Sequence, residues 1–248
     1  MPDAVVADAV TKRFRVRSSR SIRNMIIRRM RGEAASDTFP AINNVSFAVE
    51  EGEAVGLMGL NGSGKSTLLK MVSGVMRPDQ GEVLVHGRIA GLIEVGAGLH
   101  PDLTGRENIY LNGAILGMRQ AEIDRKFDAI VDFSGVERFI DNEVRHYSSG
   151  MFARLGFSVA VHTEPDIFLV DEVLAVGDQP FRKKCLQRIR ALHAEGRTLV
   201  IVSHNARQVR RLCSRGLVLQ DGELVFDGPA VDATKLLQEG EDDDDDDL

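Results

Sequence analysis

The chain has 248 residues, 43% of them hydrophobic and 27% charged, a mix that suits a soluble globular domain with a sizeable core. Two cysteines, Cys185 and Cys213, are too few for a disulfide framework and point to a reducing compartment. No apolar run approaches the ~20 residues that cross a bilayer, and the opening MPDAVVADAV lacks the order of a signal peptide.

Charge is unevenly spread over the net −6. Between Lys12 and Arg31 stand nine basic residues and no acidic one, whereas Glu239–Leu248 carries eight negative charges. The body between them is mildly acidic, which argues against nucleic acid as a partner.

Ala4 to Val16 alternates loosely and predicts an edge strand that runs into the basic stretch. Inside that stretch Ile22, Met25, Ile26, Ile27 and Met30 recur at helical spacing, so segment 12–31 is expected to hold a short amphipathic basic helix. Such a helix suits either anionic lipid head groups or a membrane-protein partner. Asn44 to Glu50 predicts a second strand, and Ala54 to Met58 a more continuously apolar one suited to a buried sheet. A helix over Ser66 to Ser73 follows, with Gly74 as its C-terminal cap.

Glu82 to Ile89 predicts a short hairpin broken at Gly87, and Thr104 to about Val161 is helical in character. The remainder alternates: strand Ile167–Val170, helix Phe181–His193, strand Thr198–Val202, and a helix from about Asn205 to Cys213. Strands Leu217–Gln220 and Glu223–Phe226 then turn at Asp221-Gly222, a strong hairpin signal. Strand–helix alternation on both sides of a helical insert implies an α/β fold with a largely parallel core sheet. The acidic tail 239–248 is expected to be disordered.

The strongest chemical signal is the run from Gly59 to Ser66, GLNGSGKS, which fits G-x-x-x-x-G-K-[ST] between an apolar strand and a helix. Its glycines let backbone N–H groups turn inward around phosphates without a Cβ in the way. Lys65 brings a positive charge to the terminal phosphates, the Ser66 hydroxyl can ligate Mg²⁺, and the following helix points its positive end at the same anion. Downstream, Ile167-Phe-Leu-Val ends in two carboxylates, Asp171 and Glu172. Asp171 can hold Mg²⁺ through water and Glu172 can take the proton of an attacking water.

A third motif narrows the class. Tyr147-Ser148-Ser149-Gly150-Met151, with an arginine-bearing helix after it, has its Gly150 21 residues before Asp171. It resembles the leucine-serine-glycine-glycine-glutamine signature of ABC-type ATPases, retaining the serine, Ser148, and the second glycine, Gly150. The resemblance extends from Val5 to about Leu237. It implies an ABC-type P-loop NTPase domain over residues 1–238, with a parallel core sheet, an N-terminal antiparallel β subdomain and an inserted helical subdomain at about 104–161.

It further implies ATP and Mg²⁺ as ligands. Gly59, Asn61, Gly62, Ser63, Gly64, Lys65, Ser66 and Thr67 then hold the phosphates, while Ser66, Asp171 and Glu94 hold the metal. Glu172 becomes the catalytic base, His204 the switch histidine at the γ-phosphate and Asp178 the D-loop aspartate. Glu94 stands where the family carries the Q-loop glutamine. Phe14 falls at the adenine-stacking position, with Phe39 as the alternative.

Ser148, Ser149 and Gly150 would complete the site of a second copy, so the resemblance implies a homodimer. Ser149, Met151, Glu94 and the runs GLIEVGAGLHPDLTGREN and DEVLAVGD resemble one branch, the ATPases of O-antigen, teichoic acid and cell-wall galactan exporters. That branch implies an ATP-hydrolysing subunit at the cytoplasmic face of the cell membrane. It works with a separate integral-membrane permease that moves a lipid-linked glycan. A second class stays open beside it: an ATP-gated binding or regulatory protein with little turnover.

Overall fold

The structure, a computed structural model, describes residues 2–15, 38–91, 98–171, 177–203 and 205–245, with side chains up to residue 238. Most of the basic stretch, along with Glu94, Glu172 and His204, lies outside the described residues.

Two sheets share the β content. A three-stranded antiparallel sheet has the order β2–β1–β4, from β1 (Asp3–Arg15), β2 (Thr38–Glu50) and β4 (Gln80–Val85). β1 is therefore the central strand of this sheet and not its edge. Its loose alternation has a local cause. The pairing shifts register between Ala7 and Val10, and Ala9 takes a φ of 48° there while its N–H donates to Ser46 Oγ at 2.8 Å. An extra residue of this kind offsets the inward face and blurs the period of two.

The larger sheet has the order β5–β6–β7–β3–β8–β9. Its members are β3 (Ala54–Met58), β5 (Ile89–Gly91), β6 (Ile167–Val170), β7 (Thr198–Val202), β8 (Arg215–Gln220) and β9 (Glu223–Pro229). All neighbouring pairs but the last are parallel; β8 and β9 form the antiparallel hairpin that the Asp221-Gly222 turn predicts. Every residue of β3, β6 and β7 is buried, as strands covered on both faces must be.

β4 and β5 do not form the expected hairpin. β4 pairs with β1 in the small sheet and β5 with β6 in the large one. Gly87 lies at the crossing between the sheets. Its φ is 108° and an added Cβ would lie 2.7 Å from Asp166 Cβ, while Asp166 Oδ2 accepts from the Arg88 N–H at 2.8 Å.

Helices fill three layers. Helix α1 (Lys65–Val72) is held between the sheets, with Leu68 and Leu69 in one cluster with Val5, Ile42, Leu57 and Leu169. Between β5 and β6 come α2 (Gly105–Ile115), α3 (Gln120–Ser134) and α4 (Ser149–His162), the last two joined through two short 3₁₀ turns. Thr104 starts α2 with a capping box shared with Glu107. α4 serves two cores: Leu155 and Val159 pack with Ile109, Ile123 and Ile130 of the insert, and Phe157 and Val161 pack with Phe168 under the large sheet.

Helix α5 (Gln179–Ala194) and α6 (Ala206–Leu212) cover that same face. α7 (Ala230–Asp245) packs Ala233 against β8 and runs on into the acidic segment expected to be disordered. Propagating a helix from a packed turn adds one bond per residue fixed, which favours continuation beyond Gln238. No helix among the described residues is long and apolar enough to cross a membrane.

Because β3, β6 and β7 are parallel, their C-terminal ends open on the same edge of the sheet. The loop after β3, Asp171 after β6 and the residues after β7 therefore meet there, where α/β sheets place their ligands.

Candidate active site

The loop from Gly59 to Ser66 leaves buried β3 and enters α1. Two of its glycines are demanded by close approach as well as by backbone angle. At Gly59 (φ 143°) a Cβ would stand 2.2 Å from the Leu219 carbonyl oxygen, and at Gly64 (φ 103°) 2.4 Å from that of Ala41. Lys65 is only 8% exposed, and its ammonium donates to the carbonyls of Gly59 and Leu60, each at 2.8 Å. These bonds draw the loop into a closed ring around its own lysine. Gly64 caps α1 without a side-chain hydrogen bond, so the first N–H groups of the helix remain available to an anion.

Beside this ring lies a cavity of about 600 Å³. Its lining includes Asn61, Gly62, Gly64, Lys65, Ser66, Thr67 and Asp171, and also Phe14 and Phe39. The two phenylalanines face each other across β1 and β2 as a direct cross-strand pair and are 40% and 52% exposed. Both sequence candidates for the aromatic position thus reach one cavity. Ala41 and Val202 also line it; nothing in their residue types marks them, and only the sheet topology brings them there.

Ser63 stands apart. Its hydroxyl is buried without a hydrogen-bond partner among the described residues, and Ser63 lines a second cavity of about 490 Å³ with Leu60 and Leu219. Its backbone N–H donates to Leu60 O at 3.2 Å, so Ser63 shapes the turn.

Ser148, Ser149, Gly150 and Asp178 do not line the cavity of Lys65 within the chain. Ser148 is exposed and caps α4, its Oγ accepting from the Met151 N–H at 3.2 Å; Ser149 and Gly150 form the first turn of that helix. Tyr147 fixes the approach to it by donating to the Phe139 carbonyl at 2.7 Å. Burial pushes its hydroxyl up to about 12, so it remains protonated and a donor. Asp178 caps α5 by accepting from the Phe181 N–H at 3.2 Å and pairs with Arg154 at 2.7 Å.

The cysteines have no part in this chemistry. Cys185 and Cys213 are buried free thiols pushed up to about 12 by desolvation, far from the thiolate form that reacts.

A parallel sheet with a loop of the G-x-x-x-x-G-K-[ST] pattern and a carboxylate at its C-terminal edge defines a P-loop nucleotide-binding protein. The family model described as ABC transporter matches residues 42–175. Over 199 residues the chain is 48% identical to the O-antigen export system ATP-binding protein RfbB of Klebsiella pneumoniae, covering 80% of this chain and 81% of that one. It is 44% identical over 202 residues to the teichoic acids export ATP-binding protein TagH of Listeria monocytogenes, covering 82% of this chain and 60% of that one.

Among solved structures, the dimeric cassette MJ0796 in a post-hydrolysis state bound to ADP and Pi shares the fold. Its TM-score is 0.73 at 24% identity, over 91% of this chain and 98% of that one. The chain belongs to the ABC transporter family and is an ATPase domain of that type.

Proposed function

We propose that the chain is the ATP-hydrolysing subunit of an exporter that moves a lipid-linked polysaccharide through a separate permease at the cytoplasmic face of the cell membrane. The observation that carries this reading is the 48% identity shared with an O-antigen export ATP-binding protein over four-fifths of both chains.

The residues fit the ligands this requires. Ser66 and Asp171 offer a hydroxyl and a carboxylate to one cavity. Such an oxygen set suits Mg²⁺, which is held by one or two carboxylates together with substrate phosphates and water. Bound there, Mg²⁺ would neutralise charge on the β- and γ-phosphates. Glu94 would add a further oxygen. Asn61, Gly62, Gly64, Lys65, Ser66 and Thr67 bind and orient the phosphates, with Gly59 and Ser63 shaping the loop. Glu172 receives the proton of the attacking water, and His204 stabilises the γ-phosphate.

Ser148, Ser149, Gly150 and Asp178 act on the nucleotide of a second copy. Exposure of Ser148 and Ser149 at a helix start supports that role, since they are available to an anion outside their own chain. Two nucleotides then hold a homodimer closed, and loss of phosphate after hydrolysis weakens the attraction and lets it open. The helical insert passes that movement to the permease.

The adenine is assigned to Phe14. Phe14→Ala is expected to weaken ATP by the worth of one aromatic contact, about 0.5–1.5 kcal/mol, or roughly 2- to 12-fold in Kd, in a titration with a fluorescent ATP analogue. If Phe39→Ala carries that loss and Phe14→Ala does not, the stacking role passes to Phe39.

The function as a whole is tested by purifying the chain from membranes. A multi-span protein is expected to accompany it, with Mg²⁺-dependent release of phosphate from ATP and accumulation of intracellular lipid-linked glycan on depletion. Depletion that leaves glycan export unchanged would remove the substrate assignment. ATP-driven dimerisation without turnover would favour the regulatory alternative.

A further inference from the structure

One side chain of the core reaches α2, α3 and α4 alike. Arg88 stands at the crossing between the sheets, directly before β5, and Asp166 clasps its backbone from both sides. The Arg88 N–H donates to Asp166 Oδ2 at 2.8 Å, and its carbonyl accepts from the N–H groups of Asp166 and Ile167 at 2.9 and 3.1 Å. Arg197 holds the other oxygen of Asp166 at 2.9 Å. The base of Arg88 is thus tied to the start of β6 in the large sheet.

The guanidinium reaches from that anchor to the ends of the helices. It donates to the carbonyls of Thr163 and of Glu164 (3.1 Å), which follow α4, and to that of Gly117 at 3.5 Å, just past α2. Glu122, in the first turn of α3, lies 3.5 Å from the same group. Carbonyls at a helix end lack helical partners and carry the negative end of the dipole, so a cation with its donors in a fixed fork suits them. A second tie runs alongside. Lys126 of α3 donates to the His162 carbonyl at 2.9 Å and pairs with Glu122 at 3.3 Å and Glu164 at 3.0 Å. The side chains of Arg88, Glu122 and Lys126 are 33%, 20% and 18% exposed, so salt screens these bonds less than those of an open surface.

Helix α4 has Thr163 at this end and Ser148 at the other. Its middle is held by apolar packing on two sides, Phe157 and Val161 under the large sheet and Leu155 and Val159 in the insert. Such packing is non-directional, whereas the bonds from Arg88 fix the helix end in direction as well as place. Fourteen helical residues span about 21 Å. A tilt of about 10° at the Thr163 end therefore carries the Ser148 end about 4 Å. That is more than the ~3 Å length of a hydrogen bond.

From these bonds we infer that Arg88 is a positioning residue for the paired site: it sets the tilt of α4, and with it the distance from Ser148 to the loop around Lys65 of the same chain. The inference rests on the proposed action of Ser148 on the nucleotide of a second copy. In a two-fold dimer each chain gives one loop and one Ser148. Both sites close together only when that internal distance is correct in both chains. Arg88 does not line the cavity of Lys65, so nucleotide affinity of the single chain is left unaffected.

The test compares the full wild-type chain with Arg88→Met, which keeps an aliphatic stem and removes every donor of the guanidinium. Spin labels on Glu82→Cys in β4 and Glu137→Cys in the insert, both exposed positions, read the distance from core to insert. Cys185 and Cys213 are buried and stay unlabelled. In Arg88→Met without nucleotide the distance distribution is expected to widen by about 4 Å, the sweep of the freed helix. Dimerisation with a non-hydrolysable ATP analogue, followed by analytical ultracentrifugation, is expected to weaken about 6- to 25-fold. That loss follows when the competent fraction falls to about 0.2–0.4 in each of the two chains. At protein concentrations too low for dimers, affinity for a fluorescent ATP analogue should stay within about twofold, as for independent sites.

An unchanged distance distribution would overturn the inference. So would wild-type dimerisation despite a wider distribution, or an equal loss in nucleotide binding by the single chain. If Arg88→Met melts far lower, Arg88→Lys replaces it under the same criteria, because one ammonium keeps the charge and lacks the fork that spans several helix ends. Those outcomes leave the ATPase assignment and the role of Ser148 standing. A wild-type chain that binds the ATP analogue and stays monomeric would remove the role of Ser148 and this inference together.

Discussion

Glu172→Gln is expected to bind ATP with near wild-type affinity, to accumulate as a nucleotide-bound dimer, and to lose turnover by about 10²–10⁴-fold. That range is what a positioned general base usually contributes. The amide keeps the volume of the side chain and one acceptor oxygen, but it carries no negative charge and cannot take up the proton. The loss should therefore fall on kcat and spare binding. Size-exclusion chromatography with ATP, alongside phosphate release, checks both halves. Wild-type turnover in this variant would mean that Glu172 is not the base.

The second large effect belongs to the loop itself. Gly64→Ala is expected to abolish measurable nucleotide binding and to destabilise the fold together. The new methyl would stand 2.4 Å from the Ala41 carbonyl oxygen and 2.7 Å from Ile42 Cδ1, at a φ of 103° that side chains rarely adopt. Strain of this kind costs about 1–3 kcal/mol before any clash is relieved. Relief requires β2 to move away from the loop, and Ala41 lines the same cavity as Lys65. Isothermal titration with ATP and a denaturant melt read the two losses separately. Full binding with unchanged stability would show that this part of the loop does not need its tight approach to β2.

The core sheet was legible because its strands obey a simple rule. Ala54–Met58, Ile167–Val170 and Thr198–Val202 are continuous apolar runs, and the structure buries every residue in them at those same bounds. Pairing is not written into such runs. β1 looked like an edge strand because the shift near Ala9 hides its alternation, and β4 and β5 looked like a hairpin because Gly87 resembles a turn. Their partners are set by contacts far along the chain, at Glu50, Val85 and Ile167.

Chemistry was legible to differing depth. GLNGSGKS carries its own meaning, since the spacing of its glycines and lysine is the pattern a phosphate cradle needs, and Asp171 is read from the apolar run before it. Glu94 and His204 are read from their places in the ABC series and Glu172 from its place beside Asp171, and all three lie outside the described residues. Aromatic packing between distant helices left no mark in the sequence. Phe133, Phe157 and Phe181 are spaced as ordinary core positions, and only the packing of three helices makes them neighbours.

The placement of β3 governs how the molecule comes into being. It is flanked by β7 and β8, where Val55 sits opposite Val200 and Arg215. Those neighbours are synthesised roughly 145–160 positions later, an interval of about 7–32 s at ribosomal rates of 5–20 residues/s. Through that wait the nascent strand holding the future phosphate cradle has an apolar edge with nothing to pair against, the condition in which chaperones are recruited and slow, non-local assembly is exposed to aggregation.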